Sequence, residues 1–168
     1  MKRRTALTAL LAAFAALAIM SCGTNGAAQN GGATVTPAAD DGFAAAMDRD
    51  WILSEIRSAS GTVTLDRAGH AATFGDIFTL RFEAERVYGK AMPNTFRGPY
   101  TLGADRAITF ENMAMTLMAA FMEPEELNEY EFMGYLHNSF AWNMAGGNFE
   151  LHTTDARGAE TVLVFAPL

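Results

Sequence analysis

Residues 87–102 read VYGKAMPNTFRGPYTL. The ends of this stretch look like strand, but glycines, an asparagine and proline punctuate its middle. In NTFRGPY, an extended chain puts Phe96, Gly98 and Tyr100 on one face and Thr95, Arg97 and Pro99 on the other. Gly89 and Asn94 can take positive φ without the strain other residues incur, and Gly98 leaves room for a ring or backbone to approach. Pro99 cannot donate to a ladder, so its strand lies at an edge or carries a bulge. The stretch reads as a sharp, bulged connection between two strands. The alternative is a glycine-rich ligand loop; a phosphate cradle fits poorly, because no lysine-serine or helix-opening pattern follows.

Outward from it the texture stays mostly β. WILSEI (51–56), TVTL (62–65), FTLRF (78–82), RVYGK (86–90), AITF (107–110), FELH (149–152) and TVLVF (161–165) are short and partly alternating, with turn signals such as SASG and DRAG between them. Phe78, Leu80 and Phe82 point one way, and EAE before RVYGK predicts a hairpin. Two stretches break the pattern. MAMTLMAAF (113–121) predicts a short helix or helical turn, and EPEELNEYEFMGYLHNSFAW (123–142) the main helix. Pro124 suits a first helical position, and Glu123, Glu125 and Glu126 suit the positive helix end. Leu127, Tyr130, Met133, Leu136 and Phe140 then share a face. Seven or eight short strands plus that helix suffice for a small barrel.

The 168 residues allow one domain, and 50% hydrophobic content can fill its core. Lys2, Arg3 and Arg4 precede the apolar run ALTALLAAFAALAIM (6–20). As a helix it reaches only about 22 Å, short of a ~30 Å hydrocarbon layer, so residues 1–21 read as a secretory signal. Ile19, Ser21, Cys22 and Gly23 resemble the lipobox of bacterial lipoproteins, with Met20 bulkier than usual. That resemblance implies a lipid on Cys22 and a place in the cell envelope, with the outer membrane as the expected address, facing periplasm or surface. An ordinary secretory signal with a stray cysteine is the alternative. Residues 22–47, rich in Gly, Ala, Asn and Thr, read as a flexible spacer reaching about 25–30 Å, leaving 48–168 as the folded domain.

Removing residues 1–21 leaves nine basic residues against 19 acidic ones, a net charge of −10. Such a chain is a poor partner for nucleic acid, whose phosphates demand cations. Anionic headgroups repel it too, so the domain is expected to stand off from the membrane that holds its lipid.

The order of motifs after residue 50 resembles the META domain, the HslJ-like family of heat-inducible and secreted bacterial proteins. Trp51 and Leu53 match its opening Trp-x-Leu. Gly89, Asn94, Phe96, Gly98 and Tyr100 match its Gly-x-x-Gly-Cys-Asn-x-aromatic-x-Gly-x-Tyr segment, Thr116, Met118 and Ala119 its Thr-x-Met-Ala-Cys, and Glu129, Phe132 and Leu136 its Glu-x-x-Phe-x-x-x-Leu helix. The resemblance implies a mostly β (α+β) fold, a small antiparallel lipocalin-like barrel or curled sheet packed by one helix. It also implies a non-catalytic envelope role connected with stress. Pro93 and Ala120 stand where relatives often carry a cysteine pair. The resemblance gives Glu129 a structural role, bonding backbone near the bulged loop.

Candidate chemistry is thin. His70, His137 and His152 show no metal-ligand spacing, and Gly-x-Ser-x-Gly is absent. The glutamates near 123–131 suit a helix start, and ten methionines beside alanine and phenylalanine suit an irregular core better than copper. No cofactor or metal is expected. Partners are the membrane, through Cys22, and an unidentified envelope protein or small ligand. A second reading makes the barrel mouth a site for an apolar ligand, lined by Trp51, Phe78, Phe96, Tyr100 and Trp142. Because Cys22 is the single cysteine, no intramolecular disulfide forms, and a bridge over about 28 residues would have contributed roughly 3–4 kcal/mol. The melting temperature should therefore be identical with and without dithiothreitol, which a thermal scan checks.

Overall fold

The computed structural model describes residues 42–168; the signal, Cys22 and the spacer up to residue 41 lie outside the described residues. Among the described residues the chain builds ten strands, more than the seven or eight expected. They are β1 Asp50–Ser58, β2 Gly61–Thr64, β3 Thr79–Glu83, β4 Arg86–Lys90 and β5 Thr95–Leu102, then β6 Ile108–Phe110, β7 Ala114–Met115, β8 Ala141–Ala145, β9 Asn148–Thr154 and β10 Glu160–Pro167. The paired strands run antiparallel in the order β6-β5-β4-β3-β1-β10-β9-β8, with β2 added to β1 and β7 to β5. The ends of that path meet through an Ala107–Ala141 bridge and a 3.2 Å bond from Ile108 N–H to the Phe140 carbonyl. The sheet is thus nearly closed into a barrel.

Inward positions fill it. Trp51, Leu80, Phe82, Val87, Phe96, Ile108, Phe149, Leu151 and Phe165 are buried, and Phe82 lies 5.0 Å from Phe149 and 5.1 Å from Phe43, centroid to centroid. Each such ring contributes about 1.5–3 kcal/mol on burial. Phe43 belongs to a short 3₁₀ turn, Phe43–Ala46, inside the stretch read as spacer. Its ring packs between Phe82, Tyr100 and Trp142, so the folded domain begins several residues before 48.

The punctuated stretch becomes the β4–β5 hairpin. β5 pairs with β4 along one side; along the other it meets β7 at Phe96 and Arg97, then β6 from Tyr100. Pro99 sits at this change of partner, where the register slips by one residue. A Cβ on Gly98 would lie 2.4 Å from Met113 Sδ and 3.1 Å from Met113 Cα, so the crossing chain is what requires glycine. Neither Gly89 nor Asn94 has positive φ, contrary to expectation. Gly89 is needed for space: its Cβ would meet the Phe96 ring and the Thr79 carbonyl, each at 2.2 Å.

The helices differ most from the sequence reading. DRAG, taken for a turn, opens α1 (Arg67–Phe74), because Asp66 caps it by accepting from Gly69 N–H at 3.0 Å. The main helix, α2, spans only Glu129–His137. Asn128 and Glu131 form a capping box that starts it there, so Pro124, Glu123, Glu125 and Glu126 precede the helix. Its buried face is Phe132 and Leu136; Tyr130 and Phe140 are exposed, and Trp142 belongs to β8. Residues 113–121 form no helix. They contribute β7 and then irregular chain, leaving Met115, Met118 and Met122 exposed, where core positions were expected.

Two glycines separate the constraints. Gly89→Ala should lower stability by about 1–3 kcal/mol through overpacking. Gly134→Ala, in α2 with nothing within 4 Å of its would-be Cβ, should raise it by about 1 kcal/mol. Urea titration of both variants checks the opposite signs.

Candidate functional site

Asn94 is a polar side chain placed in the interior, 2% exposed. A buried amide is tolerated only when its donors and acceptor are used. Its Nδ2 donates to the Met118 carbonyl (3.0 Å) and to Glu129 Oε2 (2.8 Å). Its Oδ1 accepts from Thr116 Oγ1 (2.8 Å) and Met118 N–H (2.7 Å). The Asn94 backbone N–H donates to Glu129 Oε1 at 3.1 Å, so both carboxylate oxygens face one residue. Thr116 in turn accepts from Thr95 N–H at 3.2 Å. Asn94 therefore ties three pieces together: the hairpin, residues 116–118 and the start of α2. This network is why 113–121 is not helical, since its backbone groups find partners on β5 and on Asn94.

Of the residues expected to line an apolar mouth, Trp51, Phe78, Phe96 and Trp142 are buried in the core. Trp51 Nε1 donates to the Ala46 carbonyl at 2.9 Å, Phe78 and Phe96 pack on Phe132, and Trp142 packs on Phe43. Tyr100 is half-buried, and its hydroxyl donates to the Glu83 carbonyl at 3.1 Å. Burial pushes its phenol up, with the Asp48 charge adding to the effect. The histidines stand apart. His70 Nε2 lies 3.0 Å from Glu126 Oε2, His152 lies 3.8 Å from Glu160, and His137 ends α2. Burial disfavours the Glu126 charge, yet bonds from its own backbone, from His70 and from Asp66 outweigh this and hold its carboxyl low. Among the described residues no group of three or more His, Cys, Asp or Glu is placed to hold a metal.

The outer face carries a feature not singled out from sequence. A groove of about 600 Å³ runs across β3, β4, β5 and β7. Antiparallel register aligns Asp50, Arg81, Tyr88, Arg97 and Ala114 in one row across five strands. Thr79, Lys90, Thr95 and Thr116 form the next row, joined by Lys90 N–H to Thr79 Oγ1 at 3.0 Å. Arg81 bonds Asp50 and Glu83, each at 3.2 Å, and Lys90 Nζ donates to the Phe74 carbonyl at 3.2 Å. Arg97 has no ion pair among the described residues. Three cations thus line the groove, of which Arg81 is paired with Asp50 and Glu83. The signal was available: alternation in FTLRF and RVYGK turns Arg81, Tyr88 and Lys90 outward.

The META domain family model matches residues 45–166. The chain belongs to the META domain family. Among solved structures, a Burkholderia xenovorans protein is similar at TM-score 0.53 and 21% identity, over 73% of this chain and 83% of that one. A DUF4847 family protein from Bacteroides vulgatus gives 0.46 and 18%, over 74% and 95%. At 21% identity the likeness to the first concerns the fold alone. No curated protein matches the chain.

Asn94, Thr116, Met118 and Glu129 thus act on one another. Asn94→Ala removes four side-chain bonds and leaves buried partners unsatisfied, so it should destabilise by about 3 kcal/mol or more. Glu129→Ala should cost less. A double-mutant cycle read by denaturant unfolding should return a coupling above about 1 kcal/mol between the two.

Proposed function

We propose that the chain is a lipid-anchored, non-enzymatic accessory protein of the cell envelope, serving under envelope stress and engaging its partner through the outer groove. The observation that carries this reading is the closed polar network of Asn94, Thr116 and Glu129. The polar residues that mark the META domain spend their hydrogen-bonding capacity holding the fold, and four of the five interior aromatic candidates are packed against core groups. Function on such a scaffold falls to its surface. There the groove joins Arg97, free of ion pairs among the described residues, to Tyr88 and Lys90. The anchoring part is supported by the Lys2–Arg4 cations, the apolar run after them and Ser21-Cys22-Gly23. Several acyl chains, at about 0.8 kcal/mol per buried CH₂, make such an anchor hard to leave.

Intact mass of protein purified from membranes tests it. The expected product lacks residues 1–21 and carries a diacylglyceryl group on Cys22, and Cys22→Ser abolishes both changes. A mature chain with an unmodified Cys22 removes the anchor and the reading with it.

A further inference from the structure

The segment after β7 is unusual for a soluble surface. Leu117 is 92% exposed and Phe121 101%, with Met118 and Met122 more than half exposed beside them. Its position is fixed: Thr116 is bonded to Thr95, and both backbone groups of Met118 are held by Asn94. Leu117 and Met118 are therefore presented outward by a clamped backbone, with Phe121 and Met122 following within four residues. Residues 114–116 form one wall of the cationic groove, so the apolar run begins where Arg81, Lys90 and Arg97 end. The acids nearest in sequence, Glu111 before it and Glu123 and Glu125 after it, bound the run at 113–122.

An apolar run in line with a strip of cations matches the cross-section of a lipid layer, where phosphates overlie acyl chains. We infer that this face docks on a phospholipid surface, with Leu117 and Phe121 entering the acyl boundary and Arg97 and Lys90 meeting lipid phosphates. Charge complementarity selects this occupant. The chain carries 12 basic and 19 acidic residues, yet along this groove Lys90 and Arg97 stand beside an Arg81 already paired with Asp50 and Glu83, so cations outnumber acids there. A domain repelled by headgroups over most of its surface thus has one face that is attracted, which orients it. The docking adds a second membrane contact that does not depend on Cys22.

The test places one reporter tryptophan in the full chain, at Phe121→Trp or, as control, at Val63→Trp on β2, which is 45% exposed. Both proteins are mixed with vesicles of phosphatidylethanolamine and brominated phosphatidylglycerol. With the parent chain's signal from the buried Trp51 and Trp142 subtracted, the reporter at 121 should lose most of its fluorescence, while the one at 63 keeps it. Adding Lys90→Glu and Arg97→Glu should bring the two reporters to equal quenching, with circular dichroism confirming the fold. Equal quenching at both positions before those changes, or none at 121, overturns the inference. The Cys22 mass scores anchoring separately, so failure of the anchor leaves this comparison readable.

Discussion

A single buried amide holds the irregular half of this domain in place. Asn94 sits where water cannot reach, so each of its hydrogen-bonding positions must find a protein partner. The arrangement that supplies them brings together Thr116, the backbone of Met118 and the carboxylate of Glu129. Remove that requirement, and Thr116 and Met118, in a stretch with no regular structure of its own, lose side-chain bonds that place them. Bonds to a charged carboxylate contribute about 1.5–3 kcal/mol each, more than ordinary neutral ones. Glu129 is also the first residue of α2, where the helix end favours its negative charge.

The clamp occupies an instructive place in the chain. Pro93 and Ala120 flank it, at the two positions where the sequence resemblance implies a cysteine pair in relatives. Here the same two stretches are joined without a covalent link, by an amide and a carboxylate. The core supports this from below: Phe132, three residues into α2, lies 5.1 Å from Phe78 and 6.0 Å from Phe96. Polar clamp and aromatic packing thus hold one helix against one end of the barrel. Rings occupy the interior, and on the outside Arg81, Tyr88, Lys90 and Arg97 share a groove.

The strands were legible because period-two alternation is local. Phe78, Leu80 and Phe82 are all buried, and Thr95, Arg97 and Pro99 are exposed opposite Phe96 and Gly98. Helix bounds were less so. Leu127, Tyr130, Met133, Leu136 and Phe140 made a plausible helical face, but the capping box at Asn128 and Glu131 outranks periodicity and starts the helix later. That signal was in the sequence and was missed. The methionine-rich stretch was misread for a different reason: alanine and methionine favour helix, and nothing nearby announces that Asn94, some twenty residues earlier, will claim its backbone.

What the sequence determined by itself is the curved antiparallel sheet, the punctuated hairpin at 87–102 and membership of the META domain family, because each rests on residue types at short, fixed spacing. Tertiary structure alone decided the roles of individual polar groups. Gly89 serves close packing and not a turn, Asn94 bonds across three segments, and Arg81, Tyr88 and Arg97 become neighbours only through strand register. Such contacts join residues far apart in the chain, and their partners exist only once the sheet has closed.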